Sequence, residues 1–250
     1  MIIVRLLGAS RSGFLGQKFV LTLAACTLAL ATGVAPAAEE TDREEGFAPL
    51  LVNAPAHWRG YAAEKWPESW EVVDGVLRRK GPGGDIMTKE KYADFDLRFD
   101  WKVAPGGNSG IMYRVSTGDD APYYSGPEYQ ILDNAGHADG KSQLPSTGSL
   151  YALYPPTKDV SKPAGEGNSA RIVIRKNCGQ HYLNGEVVVE AELGSDDWIK
   201  RVAKSKFASW EKFGKNSEGR LAFQDHGDEV WFRNIRVKRL TDDASDSATK

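Results

Sequence analysis

Two histidines in this 250-residue chain sit where a proton could be moved. His137 follows the run Glu128-Tyr129-Gln130-Ile131-Leu132-Asp133-Asn134, and His226 follows Gly219–Asp225. Each has carboxylates close in sequence, Asp133 and Asp139 beside the first, Asp225 and Asp228 beside the second. Imidazole titrates near neutral pH, so either ring can serve as general base or general acid. Glu128 alternates with Tyr129, Gln130 and Ile131, so a strand there sends Glu128 and Gln130 to one face and the two apolar residues to the other. That polar face reads either as a solvated outer surface or as a place where chemistry is done. Glu128 with Asp225 or Asp228 could also form the carboxyl pair of ordinary glycoside cleavage. His57 lies among core-like aromatics and His181 opens a hairpin, and both read as structural.

Other chemistries find little support. HExxH, paired-cysteine and EF-hand spacings are missing, so no cofactor is expected, although a divalent metal at a loop edge stays open. The GxSxG nucleophile motif is absent. Gly106-Gly107-Asn108-Ser109-Gly110 has no following Lys-Ser/Thr pair and is read as a turn rather than a phosphate loop. Cys178, in an Asn177-Cys178-Gly179 turn, has no evident base beside it.

The elements that must hold these residues are short strands. Phe95, Leu97, Phe99, Trp101 and Val103 alternate with Asp96, Arg98, Asp100 and Lys102, which gives one buried and one solvated face of an antiparallel sheet. Asp74-Gly75 and Asn184-Gly185 predict tight hairpins over Trp70–Leu77 and His181–Val189. Further strands are expected at Ile111–Val115, Ala170–Arg175, Gly219–His226 and Val230–Val237, the last with a bulge near Asn234 where alternation slips. A helix is expected over Asp196–Ser209, with Trp198, Val202, Ala203 and Phe207 at helical spacing and Ser195 as its cap. Trp58, Trp66 and Trp70 are read as packing before sugar stacking. Many strands, one short helix and no βαβ rhythm predict an all-β antiparallel sandwich.

Length and charge bound the rest. Apolar residues make up 41% of the chain and aromatics 10%, enough for one full-sized core. A net charge of −2 with no basic block argues against a nucleic-acid partner. Arg5, Arg11 and Lys18 precede an apolar run from Phe19 to Leu30, and Ala35-Pro36-Ala37-Ala38 offers a cleavage site before Glu39. Residues 1–38 are therefore expected to be an export signal to the periplasm or beyond. Leu23-Ala24-Ala25-Cys26 offers a lesser lipoprotein alternative, in which membrane attachment depends on a lipidated Cys26. Residues 39–45 read as a tether, 46–240 as one domain and 241–250 as a disordered tail.

Gly107–Val115, Pro127–Asn134, Gly148-Ser149-Leu150-Tyr151 and Gln224-Asp225-His226-Gly227, in that order, resemble the signatures of the 3-keto-disaccharide hydrolase domain family. The resemblance implies a jelly roll of the concanavalin A or laminin-G kind, in a secreted or periplasmic protein that cleaves glycosides already oxidised at the sugar 3-hydroxyl. Its partner is then a small 3-keto sugar. The expected catalytic residues are His137, His226, Glu128 and Asp225. Arg114, Tyr113, Gln130, Asn134, Tyr151, Gln224 and Asp228 are the expected substrate-binding set. In one place the chain departs from the family, with Gly167 where a tryptophan is usual.

A 3-ketone acidifies the C2 proton, because the carbanion delocalises into an enolate. His137 or His226 could remove that proton, Arg114 or Gln130 could stabilise the oxyanion, and a protonated Glu128 or histidine could assist loss of the C1 oxygen before water adds. A non-catalytic carbohydrate-binding module and a conventional glycosidase are the alternatives.

Overall fold

The computed structural model describes residues 45–241; the expected export signal, nearly all of the tether and residues 242–250 of the tail lie outside them. Among the described residues thirteen strands pair antiparallel throughout, in two stacked sheets of a jelly-roll sandwich. The larger sheet runs β11 (Glu186–Glu192), β10 (Cys178–Leu183), β9 (Asn168–Arg175), β6 (Phe95–Val103), β13 (Val230–Arg239), β4 (Val76–Arg79) and β3 (Trp70–Val73), with β1 (Ala48–Pro49) also on β13. The smaller runs β2 (Trp58–Gly60), β5 (Ile86–Thr88), β12 (Arg220–Phe223), β7 (Asn108–Val115) and β8 (Glu128–Leu132).

Period-two patterning decides what lies between the sheets. Phe95, Leu97, Phe99, Trp101 and Val103 meet Ile111, Tyr113, Tyr129, Ile131, Leu221 and Phe223 in one core. Phe99 packs edge-on against Tyr129 with ring centroids 5.9 Å apart, and Trp58 meets Phe223 at 4.9 Å. Each such large side chain contributes about 1.5–3 kcal/mol by leaving water. Trp58 and Trp70 belong to this core, their indole N–H groups donating to the carbonyls of Leu50 and Gly84, so the tryptophan cluster is packing.

The hairpin turns fall where expected. Asp74 and Gly75 have φ of 50° and 73°, and Asn184 and Gly185 have 50° and 86°, the doubly left-handed turn that matches strand twist. The register of β13 against β6 shifts between Arg233 and Arg236, with Asn234 at φ 54°, which is the bulge.

Four expectations need correction. Asn108–Gly110 is strand rather than turn, for a reason given below. The expected helix, α2 (Asp196–Ala203), ends well before Ser209, its start capped by the Ser195 side chain, which accepts the Trp198 N–H. Beyond it the chain continues in turns, because Phe207 folds back onto Phe213, their rings stacked at 4.0 Å. Cys178 begins β10, and the tight turn sits one step earlier, where Lys176 takes a φ of 55°. The outward face of β6 is not all solvated, since Asp96 is only 3% exposed beneath Arg98 and Arg171. A four-residue helix, α1 (Ala54–His57), precedes β2.

Candidate active site

The outer face of the smaller sheet carries a cleft of about 830 Å³. Its floor follows from the pleat. Gly110 lies opposite Gln130, Met112 lies opposite Glu128, and the Gln224 N–H donates to the Gly110 carbonyl. Asn108, Glu128, Gln130 and Gln224 therefore point away from the core on neighbouring strands and line the cleft, with Asp85 just ahead of β5. Loop residues including Tyr124, His137, Tyr151 and Lys206 line the same cleft, and Glu128 and Gln130 are buried even though they point outward. Gly110 explains why a glycine run became strand: a Cβ there would lie 1.9 Å from Glu128 Oε1. The glycine makes room for the carboxyl.

The Glu128 carboxyl makes no hydrogen bond to another described residue, although the backbone carbonyl accepts the Tyr151 N–H at 3.0 Å. Burial, opposed by Lys206 and reinforced by the charge of Asp85, pushes its carboxyl up to about 8. It is thus protonated at neutral pH and able to donate. Asp85 is pushed up to about 6, by burial first, although it accepts the Asp225 N–H at 2.7 Å. Gln130 Oε1, Gln224 Oε1 and Asn108 Oδ1 are buried acceptors with no partner among the described residues. Buried polar atoms left alone in a native cleft are open to a partner from outside the chain, a water or a ligand hydroxyl.

His137 and His226 meet at this floor, ring centroids 6.2 Å apart and roughly perpendicular. His137 is positioned from the end of β8. Asp133 accepts the N–H groups of Gly106 and Ala135, and its carbonyl accepts the His137 N–H. Burial opposes ionisation of Asp133, but three backbone N–H groups and the nearby His137 hold it below the usual carboxylate range. His137 Nδ1 accepts the Asp139 N–H at 3.1 Å, so the neutral ring carries its proton on Nε2. His226 has the opposite surroundings: Nε2 lies 3.5 Å from the Asn108 amide nitrogen and Nδ1 lies 3.7 Å from Asp228 Oδ2. Asp228 is itself fixed by the Asn108 N–H at 3.0 Å.

Several expected site residues have other work. Arg114 leaves the cleft because β7 bulges at its end: Arg114 has φ 53°, and its buried guanidinium donates to the carbonyls of Ala93 and Lys176 and lies 3.5 Å from Asp94. Tyr113 faces the core, where its hydroxyl lies 3.3 Å from His181 Nε2. His181 is structural as expected, with burial lowering it to about 4. Asn134 ties loops together, accepting the Thr147 N–H and donating toward Asp159 and Ser161. Asp225 borders the cleft, but its oxygens are committed to Arg79 and to the N–H groups of Gly83, Gly84 and Gly227. It is an anchor for the His226 loop. Tyr151 and Gln224 do line the cleft.

The sequence reading missed Asp85, Tyr123, Tyr124, Lys206 and Trp210, all of which line it. Lys206 is the one lysine or arginine among the lining residues, and its ammonium lies 3.2 Å from the Tyr151 hydroxyl and 4.2 Å from that ring's centre. Phe207, Trp210 and Phe213 recur every third residue, a rhythm that signals tight turns rather than the expected α-helix. Among the described residues no cluster of three or more His, Cys, Asp or Glu has metal-binding geometry.

Residues 51–238 match the family model described as the 3-keto-alpha-glucoside-1,2-lyase-like domain. A 3-keto-disaccharide hydrolase of Bacteroides thetaiotaomicron is 38% identical over 216 residues, spanning 73% of this chain and 74% of the relative. A crystal structure of a provisionally named glycosyl hydrolase from Parabacteroides distasonis superposes with a TM-score of 0.75 at 33% identity, covering 82% of this chain and 99% of that one. A second from the same organism gives 0.65 at 26% identity, over 78% and 99%. With three-quarters of its length matched and its fold shared, the chain belongs to the 3-keto-alpha-glucoside-1,2-lyase-like family.

Proposed function

We propose that this cleft cleaves 3-keto-glycosides by removing the C2 proton and expelling the C1 substituent. The reading is carried by one observation: two histidines with opposite tautomer preferences meet in the cleft that the buried Glu128 carboxyl also lines, and burial raises that carboxyl. His226, whose Nδ1–H faces Asp228, keeps its Nε2 lone pair for the C2 proton, and Asp228 stabilises the imidazolium that forms. His137 presents Nε2–H, a donor suited to the ketone oxygen as it becomes an enolate. Lys206 supplies the nearby positive charge that Arg114 does not. Protonated Glu128 donates to the departing C1 oxygen as the C1–O bond breaks and the C1–C2 double bond forms. Water added back at C1 completes hydrolysis. The unpartnered amide oxygens of Asn108, Gln130 and Gln224 accept sugar hydroxyls and fix the ring.

Elimination needs no nucleophilic side chain. It also needs the ketone, since C2–H is otherwise far too weak an acid for imidazole. The test is to incubate purified protein with a 3-keto-disaccharide and with its unoxidised parent, then identify products by mass. Release of sugar from the first alone is expected. Equal cleavage of both, or of neither, overturns the reading.

We further propose that the mature protein works outside the cytoplasm after cleavage before Glu39. Terminal sequencing of the native protein checks this: a lipidated Cys26 at the new terminus would refute the cleavage site, and an uncleaved terminus would refute the export.

A further inference from the structure

One wall of the cleft takes no part in the proton chemistry just described. Tyr123 and Tyr124 stand on a single 3₁₀ turn, Pro122–Tyr124, and Trp210 stands on the turns beyond α2. Their ring centroids lie 5.1 Å (Tyr123–Tyr124), 5.7 Å (Tyr123–Trp210) and 4.7 Å (Tyr124–Trp210) apart, tilted by 33° to 50°. The two segments are clipped together away from the rings. The Gly214 N–H donates to the Ser125 carbonyl at 2.9 Å, and Lys212 pairs with Asp119 at 2.9 Å. Phe207 and Phe213 stack behind Trp210. The wall is thus fixed before any ligand arrives.

Its polar tips are uncommitted. Neither tyrosine hydroxyl nor the Trp210 indole N–H bonds any other described residue, whereas the indoles of Trp58, Trp66 and Trp70 all donate to backbone carbonyls. Half-exposed rings with free polar tips suit a partner that is apolar on one face and hydroxylated at its edge. The outward-facing Trp231 of the other sheet differs, since the Lys102 ammonium lies 4.6 Å from its ring centre.

We infer that Tyr123, Tyr124 and Trp210 form the leaving-group subsite, stacking a ring-bearing aglycone while the polar floor holds the 3-keto ring. The inference rests on the proposed function and deepens it. Contact with a ring that does not react positions the scissile C1–O bond against Glu128, so binding there should appear as rate on the correct substrate.

Trp210→Ala and, separately, Tyr124→Ala are to be compared with wild type on three substrates sharing the 3-keto-glucosyl half: a disaccharide, a 4-nitrophenyl glycoside and a methyl glycoside. Because the substitutions lie on different segments, misfolding of one leaves the other to decide. The expected result is a fall of about tenfold in kcat/KM for the two ring-bearing substrates and less than about twofold for the methyl glycoside. A larger loss for the disaccharide marks a sugar as the preferred ring, and a larger loss for the nitrophenyl compound marks an aryl group. Equal losses on all three substrates, or none on any, overturn the inference. If wild type cleaves none of the three, the proposed function fails and the wall is judged by calorimetric titration with the unoxidised disaccharide. Heat of binding that Trp210→Ala or Tyr124→Ala abolishes then supports a ring-binding wall, and no heat with wild type refutes it.

Discussion

Asp96 and Glu128 occupy equivalent places on the two sheets. Both point outward from strands of the sandwich and both are almost fully buried, at 3% and 8% exposure. Their partners could hardly differ more. Asp96 receives Arg171 through Nε and Nη2 at 2.9 and 2.8 Å and Arg98 through Nη2 at 2.9 Å, so its charge is neutralised on the spot. The Glu128 carboxyl receives no side-chain or backbone donor among the described residues, and burial favours its protonated form. A buried acid with arginines is a structural tie, and a buried acid without them is a proton source. Burial of a carboxylate is thus no guide to function until its partners are known.

Glu128→Gln should break the comparison hardest. Turnover of the 3-keto substrate should fall by about 10²–10⁴-fold, since the amide keeps the shape and loses the transferable proton. Initial rates by product mass, with circular dichroism to verify folding, decide it. The same pair of proteins serves a second measurement. A carboxyl raised from 4.5 to about 8 binds more protons folded than unfolded, so its contribution is present below pH 4.5 and lost as pH climbs to 8. Wild type should therefore lose up to about 4 kcal/mol relative to Glu128→Gln across that window, read by chemical denaturation at each pH. His181, lowered to about 4, works the other way, and its contribution is lost as pH falls from 6.5 to 4.

Asp96→Asn should cost about 2–3 kcal/mol in the same unfolding assay, between the exposed and buried limits for ion pairs, and leave turnover of the folded protein unchanged. Arg114→Met sharpens the contrast at a smaller scale. Losing charged donors to the Ala93 and Lys176 carbonyls should cost about 2 kcal/mol, with kcat and KM retained. A selective loss of kcat there would return Arg114 to the mechanism.

Much of this arrangement was readable before any coordinates. The strand at Phe95–Val103, both doubly left-handed hairpins, the Asn234 bulge and the Ser195 cap each follow from a few adjacent residues, because pleat, turn and cap are local. The same periodicity placed Glu128 and Gln130 on one face. Where a long side chain goes depends on distant neighbours, and there the reading failed: Arg114 turns toward Ala93 and Lys176, and Asn134 toward Asp159.

By itself, then, the sequence determined the sandwich, the outward-facing pair at Glu128 and Gln130, and the two histidines at strand ends. Tertiary structure alone decided that distant loops would close over that face, that Gly110 would leave room for an unpaired carboxyl, and that Tyr123, Tyr124 and Trp210 would form one wall. The physical reason is range. Alternation and turn chemistry act within a few residues, whereas the proton affinity of Glu128 and the company of Trp210 depend on what the long stretch of chain between them brings back to the same side of the sheet.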